Sequence, residues 1–449
     1  MSKLKVKMLS RNPDEYIRET KRDIFKMPRN YDPNLHPLEL PREYTRALNA
    51  TKLERVFAKP FLGSLDGHGD GINCLAKHPK SLSTLMSGAC DGEIRLWNLA
   101  TRECVRTITA HDGFVRGISA HPSGKYFFSC GDDQTIKQWS LDTEETSASN
   151  TEPMNTILGK HGFYGIDHHQ KKDLFVTCGE SVDVWDETRS QPMRTFKWGV
   201  DSVTNARFNP IETYLLGATA SDRSVLLYDM RGATPLRKVV LSLRSNTIAW
   251  NPMEAFIFTV ANEDYNLYTF DMRRLNSPIC IHMDHTSAVL DVDYSPTGKE
   301  FVSGSYDKTI RIFPVDKGHS REVYHTKRMQ RVMNVKWSLD DKYIMSASDE
   351  MNIRVWKARA SEKLGILKIR EKTAFNYGEK LKEKFSHHPQ IKRINRHRHV
   401  PKSIYAAQKE HRIIKDSKRR KEQNVRAHSK PGTVPFVSAK KKTIVEEKE

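Results

Sequence analysis

Asp307-Lys-Thr-Ile-Arg-Ile-Phe313 begins on an acid, alternates polar and apolar residues, and closes on an aromatic ring. Alternation of that kind over a short run is the pattern of a half-buried β-strand. The run recurs as Asp91-Gly-Glu-Ile-Arg-Leu-Trp97, Asp133-Gln-Thr-Ile-Lys-Gln-Trp139, Ser181-Val-Asp-Val-Trp185, Asp222-Arg-Ser-Val-Leu-Leu-Tyr228, Asp264-Tyr-Asn-Leu-Tyr-Thr-Phe270 and Glu350-Met-Asn-Ile-Arg-Val-Trp356. The closing aromatics at 97, 139, 185, 228, 270, 313 and 356 are spaced by 42, 46, 43, 42, 43 and 43 residues. A helical array would carry 3.6-residue periodicity, which these runs lack. An even period of about 40–45 residues built from strands is that of propeller blades.

Gly67-His68 and Ala110-His111 precede the first two runs, and Asn209-Pro210, Asn251-Pro252 and Ser295-Pro296 mark turns in later repeats. With the closing aromatics, these resemble the WD40 family. The resemblance implies an all-β seven-bladed WD40 β-propeller over residues 57–356, closed by an outer strand of the last blade taken from around Lys59 to Ser64. It also implies a His–Ser–Asp–Trp network in each regular blade: His68, Ser87, Asp91 and Trp97, then His111, Ser129, Asp133 and Trp139. These sets contain the residue types of a hydrolytic triad. They recur blade by blade, however, and buried polar groups need partners, so a structural role accounts for them. Gly179 stands where the third repeat would have its Asp, blades four and five lack a Gly-His, and Glu350 replaces the Asp of blade seven. The network is expected to lapse there.

Hydrophobic residues make up 37% of the 449-residue chain, enough for a globular body, and the formal net charge is +19. No run approaches the roughly 18 apolar residues that cross a bilayer. The opening Met-Ser-Lys-Leu-Lys-Val-Lys has no apolar core behind its charges, so no signal peptide is expected. Cys74, Cys90, Cys104, Cys130, Cys178 and Cys280 are scattered and read as reduced, mostly buried small hydrophobes. There is no phosphate-binding glycine loop, no metal-ligand spacing and no unrepeated nucleophile–base set. Neither an enzyme nor a cofactor, metal or small-molecule substrate is therefore expected. His387, His388, His397 and His399 lie among Lys and Arg without a cysteine nearby, which argues against a metal there.

The charge is segregated. Residues 1–56 carry +5, residues 57–356 carry −3 and residues 357–449 carry +17. A near-neutral propeller with a basic extension is the pattern of an interaction tail for a polyanion. The arm 1–56, rich in proline and aromatic residues, is read as extended, with a short helix around Arg42 to Arg55. Such an arm lies along a partner or covers the propeller. Residues 357–427 are read as a basic helical extension. One helix is expected from a Ser361 cap to about Phe385, a stop at Pro389, and a second helix from about Ser403 to Ala427. Lys392, Arg393, Arg396, Arg398, Arg412, Lys415, Lys418, Arg419, Arg420, Lys421 and Arg426 are the candidate RNA- or partner-binding residues. Charge alone does not choose between RNA and an acidic protein. Residues 428–449, rich in Pro and Lys, read as disordered. Lys418–Lys421 and Lys440–Lys442 also fit nuclear import signals.

Pro28-Arg-Asn-Tyr-Asp-Pro33, Asn49-Ala-Thr-Lys-Leu-Glu-Arg-Val-Phe-Ala-Lys-Pro-Phe61, Asn251-Pro-Met-Glu-Ala-Phe-Ile-Phe258, His397-Arg-His399 and His428-Ser-Lys-Pro-Gly432 extend the likeness beyond the blades. Through them nearly the whole chain resembles the SOF-type WD-repeat proteins of the small-subunit processome, also described as DDB- and cullin-associated factors. The resemblance implies a nuclear, nucleolar scaffold whose partners are pre-rRNA, small nucleolar ribonucleoprotein proteins and other assembly factors. It also implies an alternative role, as substrate receptor of a cullin-four ubiquitin ligase. Such receptors use an Asp-x-Arg step after a closing aromatic, which Asp229 and Arg231, and Asp271 and Arg273, supply in consecutive blades. In Trp185-Asp-Glu-Thr-Arg189 the step is one residue too long.

Overall fold

The computed structural model describes residues 32–141, 152–199, 201–232 and 234–448. The chain divides into two compact units, residues up to 58 with 361–397, and residues 59–360 with 398 onward.

The larger unit is a ring of seven antiparallel sheets. Blade one runs Ile72–Lys77, Thr84–Ala89, Glu93–Asn98 and Glu103–Thr109 from inside to outside. Every later blade repeats this meander, and the innermost strands are neighbours around the ring. The turn between the second and third strands explains the acid that opens each repeat. The residue after it takes a left-handed conformation in six blades: Gly92, Gln134, Arg223, Tyr265, Lys308 and Met351. That conformation is costly for residues other than glycine. Asp91, Asp133, Asp222, Asp264 and Asp307 offset the cost by accepting the N–H two residues on, at 2.9–3.2 Å. In blade three Gly179 makes a different turn, donating its N–H to Ser181 O at 3.0 Å.

Phe61–Asp66 pairs antiparallel with Asn352–Lys357 and completes the seventh sheet, two residues further on than the segment around Lys59 to Ser64 that the family resemblance implies. Apolar side chains interleave between neighbouring sheets. Val225, Leu227, Val239 and Leu241 of blade four, for example, pack on Trp250, Phe258 and Phe270 of blade five. Charged pairs also join innermost strands. Lys77 meets Asp293 at 2.9 Å and Arg207 meets Asp167 at 3.2 Å.

The reading of 428–449 as disordered is corrected at its far end. Ile444–Lys448 is a fifth strand of blade four, antiparallel to Pro235–Leu241. Lys is the commonest residue of this segment. The β-branched pair Ile444-Val445 nevertheless suits a strand edge, and Ile444 packs on the interior shared by blades four and five.

The smaller unit holds α1 (Glu39–Val56), α2 (Ile369–Lys384) and α3 (Pro389–Arg396). Ala47, Leu381 and Ile391 form its buried centre, flanked by Tyr44, Leu48 and Phe385. The short helix expected around Arg42 to Arg55 is present and runs longer, as the 18-residue α1. Pro41 lies in its first turn, where no intrahelical N–H bond is lost. Residues 1–31 lie outside the described residues. Ser361 does not cap a helix. Its hydroxyl donates to Glu54 at 3.0 Å, and α2 begins only at Ile369. The stop expected at Pro389 comes earlier, at Lys384, and Pro389 instead opens α3, at the position where its missing N–H costs nothing. The second predicted helix is present as α4 (Lys402–His428), which belongs to the propeller unit.

Candidate interaction surfaces

The residue sets that resemble catalytic triads are sealed. In blade two the Trp139 indole N–H donates to Ser129 Oγ at 2.9 Å, and Ser129 Oγ lies 2.7 Å from His111 Nε2. His111 Nδ1 faces Asp133 at 3.0 Å. An indole only donates and a carboxylate only accepts, so the hydroxyl donates to Nε2 and Nδ1–H to Asp133. Burial lowers the His111 pKa, against the pull of Asp133. Ser87, Ser129 and Ser303 are wholly buried, so no substrate reaches their hydroxyls.

Blade one is less complete than the sequence implies. His68 Nε2 lies 2.6 Å from Ser87 Oγ, but Nδ1 has no partner, and burial followed by Arg95 lowers its pKa to about 4. Blade six forms a set that sequence reading missed, with His285 2.7 Å from Ser303 and 2.9 Å from Asp307. Its signal was present in Asp284-His285, masked because Phe313 replaces the closing tryptophan. Blade five substitutes a chain of hydroxyls. Tyr294, Thr259, Thr269 and His282 follow one another at 2.6, 2.8 and 2.9 Å.

The six cysteines are free thiols, and burial pushes the Cys74 pKa up to about 12. His387, His388, His397 and His399 do not join a ligand cluster among the described residues. His121, His168 and Glu187 do gather, as a network between blades two and three in which His168 Nε2 faces Glu187 at 2.7 Å and Tyr126 donates to Glu187 at 2.8 Å.

The two Asp-x-Arg steps adopt one geometry. Arg231 donates its backbone N–H to Asp229 at 2.9 Å and its guanidinium at 3.0 Å, lying over the Tyr214 ring at 4.9 Å. Arg273 repeats this on Asp271 at 3.0 and 2.9 Å, over Phe256 at 4.5 Å. Both arginine side chains stay about two-thirds exposed, at 67% and 65%. Their hydrogen bonds hold both Asp carboxyls below the usual range. The longer step of blade three is looser, with Arg189 3.8 Å from Asp186.

The basic residues divide between the units. Lys392, Arg393 and Arg396 are exposed on α3, whose Ile391 is buried. Arg398 is held instead by the propeller, 2.8 Å from Glu322 and donating to Arg321 O at 2.7 Å. Through α4, Ile404 is buried, Gln408 donates to Asp284 O at 2.8 Å and His411 lies against Tyr265. Arg412, Lys415, Lys418, Arg419, Arg420 and Lys421 are exposed. Arg426 stacks over Phe436 at 4.9 Å. No described helix is long and apolar enough to cross a membrane.

The ring of blades and its tryptophan–serine–histidine bonds define a WD-repeat β-propeller protein. WD-domain repeats match residues 59–98, 102–140, 276–313 and 318–357, and a Sof1-like domain matches 358–444. The crystal structure of the WD40 propeller domain of Doa1 superposes with a TM-score of 0.57 at 17% identity, over 66% of this chain and 96% of that one, which supports the fold alone. DDB1- and CUL4-associated factor 13 of Homo sapiens is 67% identical, and that of Danio rerio 65%, each over 98% of this chain and 99% of the relative. Protein SOF1 of Saccharomyces cerevisiae is 45% identical over 98% of this chain and 94% of its own length. The chain belongs to the Sof1 family of WD-repeat proteins.

Proposed function

We propose that this protein is a non-catalytic scaffold of the small-subunit processome, acting in the nucleolus in pre-rRNA processing and small-subunit assembly. Its basic extension contacts pre-rRNA and assembly factors. The observation that carries the reading is the exposed basic stretch of α4, Arg412 to Lys421, on a helix anchored to a near-neutral propeller through Ile404, Gln408 and His411 of its first turns. Arginine and lysine in this arrangement pair with phosphates while the helix fixes their spacing. Family membership supports the processome as the setting. The buried serines support a role without catalysis.

The test is RNA crosslinking and sequencing in cells. The unaltered chain is compared with one carrying Lys418→Ala, Arg419→Ala, Arg420→Ala and Lys421→Ala. Loss of pre-rRNA crosslinks is the expected result. Unchanged crosslinks would remove α4 from the RNA interface.

A second reading is favoured by the twin Asp-x-Arg geometry, together with relatives named as DDB1- and CUL4-associated factors. In that role Asp229, Arg231, Asp271 and Arg273 present two rigid guanidinium groups to a cullin-four ligase adaptor.

A further inference from the structure

Six of the seven sheets have four strands among the described residues, and blade four has five. Its added strand is short. Lys448, Glu447 and Glu446 pair with Lys238, Val239 and Val240, and a register shift then sets Ile444 opposite Leu241. Ser242 N–H donates to Thr443 O at 2.9 Å, extending the ladder by one bond. The shift brings Ile444 and Glu447 to the packed side, and both are half-buried while Val445 and Glu446 are exposed.

The surroundings explain why this edge is used. Arg237 lies on the strand that receives Ile444–Lys448, its guanidinium 3.7 Å from Glu447 and donating to Arg273 O at 3.1 Å. Beside Glu447 opens a cleft of about 380 Å³ lined by Arg237, Arg273, Arg274, Leu275, Asn276 and Glu447. The Arg273 guanidinium already holds Asp271, which leaves Arg237 and Arg274 beside the Glu447 carboxylate. The cleft has a basic lining, in a chain that already seats an acidic strand next to it.

We propose that the outer edge of blade four is a strand-addition site for an acidic extended segment. The chain's own Ile444–Lys448 holds the site, and a partner protein's segment of the same chemistry takes it over. Backbone pairing along Pro235–Leu241 supplies the affinity, as in other cases of strand addition to a sheet edge. An apolar residue at the place of Ile444 and carboxylates reaching Arg237 and Arg274 supply the selectivity. The exchange is feasible because the cis strand pairs at only four positions. The backbone of the residues joining it to α4 makes local turns, such as Thr433 N–H to Lys430 O at 3.1 Å and Lys441 N–H to Ser438 O at 3.0 Å, and side chains hold it elsewhere, Lys440 on Ile279 O, Lys442 on Glu422 and Phe436 beneath Arg426. Short edge strands of this kind open far more readily than the sheet they border.

The probe is a fluorescent peptide of residues 440–448, added to the full chain and to a full chain carrying Ile444→Pro and Val445→Pro. The expected result is at least tenfold tighter binding to the proline variant. A peptide with Glu446→Gln and Glu447→Gln is expected to bind at least fivefold more weakly, and Arg237→Glu in the receiving chain to produce a similar loss. Equal affinity for the two chains, or indifference to the glutamates, would overturn the proposal. Hydrogen exchange on the unaltered chain provides a measurement without substitutions. Amides of 444–448 should exchange faster than those of Leu215–Ala220 within the same sheet, and faster still with excess peptide. Protection of 444–448 equal to that inner strand, unmoved by peptide, would show a permanent fifth strand and no exchange site.

Discussion

Glu54 and Lys382, on α1 and α2 and 328 residues apart in the chain, meet at 2.7 Å. Burial works against the Glu54 carboxylate, yet the Lys382 and Ser361 hydrogen bonds hold its pKa below the usual range. The pair ties the segment before the propeller to the segment after it. Glu54→Lys is expected to lower the stability of the helical unit by about 1 kcal/mol, the upper end for a partly exposed ion pair. Adding Lys382→Glu should restore much of the loss. Hydrogen exchange of α1 amides in the two variants measures both effects.

Ser129→Ala leaves the Trp139 indole N–H and His111 Nε2 without their shared partner in the interior of blade two. A loss of about 2 kcal/mol is expected for stranding buried polar groups. Ser129→Thr should cost less, because Thr177 already serves Trp185 at 2.8 Å in blade three. Urea unfolding midpoints of the propeller decide the order.

The buried histidines make stability pH-dependent. Burial brings the His282 pKa to about 4, from 6.5 in the open chain. Between these values the unfolded chain binds the extra proton, so stability is full above about pH 6.5 and declines as pH falls toward 4. His282→Asn keeps a donor for Lys317 O, which His282 Nδ1 meets at 2.8 Å, and removes the titration. Its urea midpoint should fall less over that window than that of the unaltered chain.

Removing four charges at Lys418, Arg419, Arg420 and Lys421 should flatten the salt dependence of RNA binding. With a contribution of about 0.7 per phosphate contact on single strands, the slope of log affinity against log salt should drop by about 3. Titration of a pre-rRNA fragment at several salt concentrations reads the slope directly. An unchanged slope would place these residues away from the phosphates.

Arg231→Glu with Arg273→Glu should abolish capture of a cullin-four adaptor while leaving thermal stability nearly unchanged, since both side chains are mostly exposed. Capture measured with purified adaptor would test this. Retained capture would reduce the two steps to turn-stabilising pairs.

The blades were legible because each repeat states its own register. An acid sets the turn, alternation sets the faces, and an aromatic closes the strand. A closing strand from around Lys59 to Ser64 followed from the family pattern, and the structure sets it at Phe61–Asp66. Blade six's His285 was masked because its closing residue is Phe313, which has no N–H to donate to Ser303. The fifth strand was hidden by composition, since five residues of strand cannot outweigh a lysine-rich window. The gathering of α1 with α2 and α3 could not be read at all. Ala47, Leu381 and Ile391 are ordinary apolar residues whose contact depends on the propeller's intervening length of chain. Arg398 looked like its basic neighbours, and only Glu322, brought near by the blade, sets it apart.

The borrowed strand that finishes the seventh sheet also imposes a timetable on synthesis. Phe61–Asp66 emerges from the ribosome roughly 290 residues before its partner Asn352–Lys357. At about 10 residues per second, the interval is on the order of half a minute. Throughout it the nascent chain holds an unmatched strand edge at one end of an open arc of blades, the kind of edge that recruits wrong partners. For this protein, protection during translation is a requirement written into the order of its strands.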